Sequence, residues 1–167
     1  MPGRSRFFFG LVVISLALLS GSAAQAGTKT DNGRKWIRGL YVAESPAPEF
    51  LPRSVAFSAA RQRASAEAGA FVLTGTGRSM EPLYASGTIM VVARKKFEEL
   101  RRGQTILYRN RANVTVAHVL VAKCADGWRV AGLNNRVHDN DGVRPENLLG
   151  VVVAAITPVV EQSVALR

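Results

Sequence analysis

From Ala70 to Ile156 the chain is a succession of short β-prone runs cut by Gly, Asn and Asp, a pattern that demands many turns and a β core. The runs are Phe71 to Leu73, Thr88 to Ala93, Thr105 to Tyr108, Val114 to Ala122, Trp128 to Ala131 and Gly150 to Ile156. The last of these, built on V-V-V-A-A-I, is too short to cross a bilayer and ends before Pro158, so it predicts a strand buried on both faces. Ahead of them, Ser54 to Glu67 is Ala-rich, with Ser54 placed as an N-cap and Gly69 as a stop, and predicts one helix with Arg61 and Arg63 on its solvated face. The fold class expected is mainly β with one N-terminal helix. A length of 167 residues suits one domain with a genuine core.

The first 53 residues read differently. Met1 to Ala26 has the parts of an export signal: Arg4 and Arg6, an apolar run from Phe7 to Leu19, and Ala24-Gln25-Ala26 as a small-x-small cleavage site. This predicts an exported, extracytoplasmic protein whose mature chain begins at Gly27, with residues 7–27 serving as a membrane anchor if the leader stays on. Residues 27–53 are polar and broken by Pro46, Pro48 and Pro52, as in an extended arm, with Trp36-Ile37 and Leu40-Tyr41-Val42 as docking points. Residues 54–167 then form the single folded domain.

The formal charge is +10, from 22 Lys and Arg against 12 Asp and Glu, and draws the chain toward anionic surfaces. With aromatics at only 7% no stacking platform for nucleic acid is evident, so a membrane surface is the expected anionic partner. The loop cluster Arg94-Lys95-Lys96 with Arg101-Arg102 reads as solvated. Cys124 is the single cysteine, so no intramolecular disulfide supports the fold.

Between the first two β runs stands G-T-G-R-S-M-E-P, centred on Ser79. Gly75 and Gly77 allow positive φ and close backbone approach, so the chain turns sharply and presents the serine at the sheet edge. Pro82 marks where a short helical turn could start, which would put Ser79 near its positive end. A serine hydroxyl attacks a carbonyl only if a neighbouring base takes its proton. His118 is a candidate for that base in V-T-V-A-H-V-L, where Val114, Val116, His118 and Leu120 share one face and burial favours neutral imidazole, although the same placement also suits a buried structural histidine. Asp139 and Asp141 are candidates to hold the other ring nitrogen, with Asp141-Gly142 more turn-like and His138 a polar loop residue. Cys124 has no Gly-rich turn to present it and reads as an inert thiol.

The segment G-R-S-M-E-P, with Gly87 five residues after Pro82 and an apolar run behind it, resembles the nucleophile box of the signal peptidase I and SOS-repressor superfamily of serine peptidases. Gly103 to Tyr108 resembles that superfamily's second strand, Val116 to Leu120 its base-bearing strand, and Gly132-Leu133-Asn134-Asn135 through Asp139 its last motif. A histidine base is similar to the endoplasmic-reticulum and archaeal branch. The resemblance implies a signal-peptidase-like fold of several short, coiled β-sheets. It implies Ser79 as nucleophile, His118 as base and Asp139 as orienter, with no cofactor and no metal. It implies a protein or peptide substrate cleaved after small residues while bound along a β edge. Thr88, Gln104 and Leu133 stand where the superfamily commonly has acids. The first two predict lost turn hydrogen bonds, whereas Leu133 removes an acid that supports the site in the histidine branch. The alternative is a catalytically inactive peptidase-like β module that binds peptides or a membrane-associated partner. A self-cleaving, DNA-linked repressor is disfavoured by the leader and by the want of a helix-turn-helix.

Overall fold

The structure, a computed structural model, describes residues 36–161; the leader expected over residues 1–26 lies outside them. Nine strands and one α-helix follow in the order β1 Trp36–Ile37, β2 Leu40–Tyr41, β3 Pro48–Pro52, α1 Arg53–Ser65, β4 Phe71–Thr74, β5 Ile89–Ala93, β6 Thr105–Arg109, β7 Thr115–Cys124, β8 Gly127–Ala131 and β9 Leu148–Val159. The mainly β class is thus as the sequence predicts.

One seven-stranded sheet runs β4-β5-β9-β6-β7-β8, with β3 added onto β9. The long β9 organises it. Val151 pairs with both Ala93 of β5 and Ile106 of β6, and Ala155 with both Met90 of β5 and Pro48 of β3. One edge of β9 therefore carries β5, and the other carries β6 followed by β3. Strand registers skip Leu149 and Val153 on β9 and Val121 on β7, three bulges that add local twist and coil the sheet. Val153 is accordingly exposed, which corrects the expectation that β9 is buried on both faces throughout.

β5 is buried at every residue because both its faces are covered. Ile89 and Val91 meet α1 through Ala56, Ala60 and Ala64, whose small side chains at helical spacing let the helix lie close on the sheet. Met90 and Val92 face the second cluster with Met80, Leu83, Tyr84, Leu107, Val119 and Leu133. The helix starts at Arg53 with Pro52 as its cap residue, so Ser54 is not the N-cap. Its hydroxyl donates instead to Glu161 Oε1 at 2.5 Å.

The described part of the expected arm is built into the fold. β3 pairs in parallel with β9, and its two prolines sit at its ends, where a missing N–H costs least. The same pairing carries β9 through Pro158, opposite Leu51, past the stop expected before it. β5 leaves β9 at Ile156, so the proline lies where β9 needs donors on one edge only. β1 and β2 form a small hairpin. Its Tyr41 covers Gly103, where a Cβ would come within 2.6 Å of the ring, and Arg102 lies over both Trp36 and Tyr41. Val42 is buried, and Ser45 Oγ donates to the Gly103 carbonyl at 2.7 Å.

Candidate active site

Ser79 is presented by the turn that leaves β4. Gly75 accepts and donates in the ladder, its N–H to the Thr88 carbonyl at 2.8 Å and its carbonyl from Gly87 N–H at 2.9 Å. A Cβ on Gly75 would stand 2.8 Å from Met90 Cε, so the flexible end of that side chain would have to shift to admit one. Gly77 then reverses the chain at φ +85°. Beyond the serine no helix forms: the segment makes turns, with one α-type bond from Tyr84 N–H to the Met80 carbonyl at 3.0 Å, and the Glu81–Pro82 peptide is cis. The expected helix dipole behind Ser79 is therefore missing. The Ser79 N–H donates to no backbone carbonyl among the described residues.

His118 lies on β7 directly opposite Ile106 of β6, with Val116 and Leu120 beside it in the cluster that also holds Tyr108, Trp128 and Val130. Only 5% of it is exposed. Val114 falls outside the strand and is exposed, so the expected apolar face begins at Val116. Nδ1 of His118 is 2.5 Å from Asp139 Oδ2. Against an ionised carboxylate that nitrogen must carry the proton, which leaves Nε2 with its lone pair.

Asp139 is positioned by its own N–H, which donates to the Val130 carbonyl of β8 at 3.0 Å. Asp141 does not reach the histidine. Its carboxylate accepts from Arg111 N–H at 3.0 Å and pairs with the Arg111 side chain at 3.0 Å, tying two loops together. His138 is exposed. Cys124 ends β7 six residues beyond His118, a span of about 20 Å on an extended strand, too far to share this base.

Tyr108 was not singled out in the sequence as a site residue, yet its hydroxyl donates to the same Asp139 Oδ2 at 2.5 Å. Register explains the convergence. Tyr108 pairs with Val116 and Ile106 with His118, so Tyr108 and His118 are diagonal neighbours on one face. Burial, then the adjacent Asp139 carboxylate, pushes the Tyr108 phenol well above its ordinary range, so it remains a donor. A tyrosine at the end of a β run carries no local mark of this duty; only the strand pairing exposes it.

The serine and histidine elements meet at Gly132. An ideal Cβ there would lie 2.8 Å from His118 Nε2, 2.9 Å from Asn135 Nδ2 and 2.9 Å from the Ser79 carbonyl oxygen. That carbonyl also accepts from Asn134 N–H at 2.7 Å, which latches the turn after β8 onto Ser79. Ser79 Oγ itself makes no side-chain hydrogen bond among the described residues. Leu133, in the place of an expected acid, is buried in the apolar core at 1% exposure. Gln104 keeps its turn closed, its Oε1 accepting from Arg101 N–H at 2.8 Å, so the predicted loss there does not occur. Thr88 turns its hydroxyl to Thr157 at 3.1 Å.

A pocket of about 260 Å³ opens beside Ser79, walled by Gly75, Thr76, Gly77, Met80, Tyr84 and, across from them, Thr115 to Ala117 of β7. No cluster of three or more His, Cys, Asp or Glu able to hold a metal ion occurs among the described residues. No described helix is long and apolar enough to cross a membrane.

A family described as Peptidase S24-like matches residues 40–153, well over half of the chain. A search of the curated proteins returned no match.

Proposed function

The chain belongs to the Peptidase S24-like family, a serine-peptidase fold, and on that premise we propose that it is an exported endopeptidase of signal peptidase type. In this reading Ser79 is the nucleophile. His118 Nε2 accepts its proton and later returns it to the leaving amine, while Asp139 holds the Nδ1–H tautomer and stabilises the imidazolium. Tyr108 holds Asp139 in turn. The uncommitted Ser79 N–H, with a neighbouring donor, takes the developing oxyanion.

The observation that carries the proposal is the chain of contacts from Tyr108 through Asp139 to His118, ending with Nε2 and the Ser79 backbone packed around Gly132. The pocket beside Ser79, of about 260 Å³ with Gly75 and Gly77 in its lining, suits small side chains before the cut in a peptide lying along the sheet edge. The export-signal pattern read in residues 1–26 supports export, and the net charge of +10 supports work near a membrane.

An active-site serine probe tests this most directly. Labelling should map to Ser79, fail in Ser79→Ala and fall sharply in His118→Ala, and Ser79→Ala should abolish cleavage of an Ala-x-Ala peptide while the protein still melts cooperatively. A fully folded wild-type protein that neither labels nor cleaves, yet binds peptide, would instead be the inactive binding module.

A further inference from the structure

We infer that the groove leading away from Ser79 along β4 selects extended peptides with an acidic side chain several residues from the bond cut, recognised by Arg94 and Arg109. This rests on the reading of Ser79 as a peptidase nucleophile. The pocket at Ser79 does not close behind the serine. A second hollow, of about 380 Å³, is lined by Phe71, Arg94, Arg109 and Leu149, and shares Leu73, Leu107 and Thr115 with the first. The two are one groove, running between β4 and the start of β7.

β4 is an outer strand of its sheet, paired on one side by β5 alone. Its free backbone edge can accept an added strand. At about 3.3 Å per residue, a peptide laid along its four residues and the glycine turn brings a side chain some four to six residues from the reacting carbonyl to the far end of the groove.

That far end is apolar on its walls and cationic at its rim. Arg94 follows β5, its stem lying against Gly69 with Cδ 3.5 Å from where a Cβ would stand. Arg109 ends β6, and the Asn113 amide oxygen accepts from its Nη1 at 3.0 Å, which steers the guanidinium without neutralising it. Neither pairs with a carboxylate among the described residues, whereas Arg63, Arg78, Arg111 and Arg144 each do. Two planar forks at one end of a peptide groove fit a carboxylate, and repel a lysine or arginine. Both are exposed, so the preference is graded: roughly two- to fivefold per guanidinium, weakening with salt.

Three fluorescent peptides test this, sharing an Ala-x-Ala core and carrying Glu, Ser or Lys about four to six residues from the cut on either side. Their binding is measured by anisotropy on Ser79→Ala, and their cleavage by the wild type. The Glu peptide should bind tightest. Its advantage should vanish in Arg94→Glu/Arg109→Glu, where the Lys peptide should gain, and persist in Arg61→Glu/Arg129→Glu, which changes net charge equally on α1 and β8. Equal binding of all three peptides, or equal loss in both double variants, overturns the inference. Ser79-dependent cleavage of all three at one rate defeats the groove preference and leaves the peptidase standing. Arginine-dependent binding without any cleavage does the reverse.

Discussion

Replacing Gly132 by alanine would put a methyl group among His118 Nε2, Asn135 Nδ2 and the Ser79 carbonyl oxygen, at 2.8, 2.9 and 2.9 Å. Carbon atoms settle at about 3.5 Å or more from such neighbours, so each contact is short by roughly 0.6 Å. The Asn135 amide is exposed and can swing aside. The other two cannot. His118 is buried, with Nδ1 held at 2.5 Å by Asp139, and the Ser79 carbonyl is latched by Asn134 N–H at 2.7 Å. The strain therefore falls on the spacing between serine and histidine. Overpacking of this size costs about 1 to 3 kcal/mol of stability, which a domain of this length tolerates. A misplacement approaching 1 Å in the reacting groups costs on the order of 100-fold in turnover. Gly132→Ala should accordingly lower kcat by about two orders of magnitude with KM nearly unchanged, slow labelling by a serine probe in proportion, and keep a cooperative thermal transition. Gly142→Ala is the control, since its Cβ meets only the Trp128 carbonyl at 3.3 Å. Wild-type turnover in a folded Gly132→Ala protein would refute the placement of His118 against Ser79.

Asp139→Asn should reduce kcat by on the order of 10³ to 10⁴, because an amide can hold the wrong tautomer and cannot stabilise imidazolium, whereas Asp141→Asn should leave kcat intact; steady-state cleavage of the two variants decides. Tyr108→Phe removes one of two donors to the Asp139 carboxylate, so stability should drop by about 1 to 2 kcal/mol in denaturant titration and turnover by a smaller factor than in Asp139→Asn. Burial raises the phenols of Tyr84 and Tyr108 above the ordinary value of about 10, so the unfolded chain releases protons that the native state keeps. Stability is then complete below about pH 10 and lost as pH rises further, by about 1.4 kcal/mol per pH unit for each tyrosine. A denaturant midpoint indifferent to alkali beyond that pH, or an unchanged slope in Tyr84→Phe, would contradict it.

Burial patterns written over five or six neighbouring residues were legible without any structure. The runs expected from Phe71, Thr88, Thr105, Val114 and Trp128 became strands with ends shifted by only a residue or two, because apolar content bounded by glycine is a local signal. The alanine helix was legible for the same reason, although its cap was not: Ser54 competes for Glu161, 107 residues away, and the chain enters the helix from β3 at Pro52. The Gly-rich turn also announced Ser79 as a presented serine.

Distant pairing decided the rest. Pro48 and Pro52 mark a linker to any local reading, yet β3 is a strand because β9 offers it an edge about a hundred residues further on. Val153 is exposed because the β5 register skips it, a fact of two strands and not of one. Asp139 and Asp141 are both candidates on sequence, with only the turn-like Asp141-Gly142 pair to set them apart. The bond from Asp139 N–H to β8 turns the first toward His118, and Arg111 holds the second away. Tyr108 reaches the same carboxylate only through its diagonal placement across β6 and β7. A sequence records which side chains can bury or react, because that depends on each residue and its near neighbours. Which of them meet depends on strand register, and register is settled by the summed packing of the whole sheet.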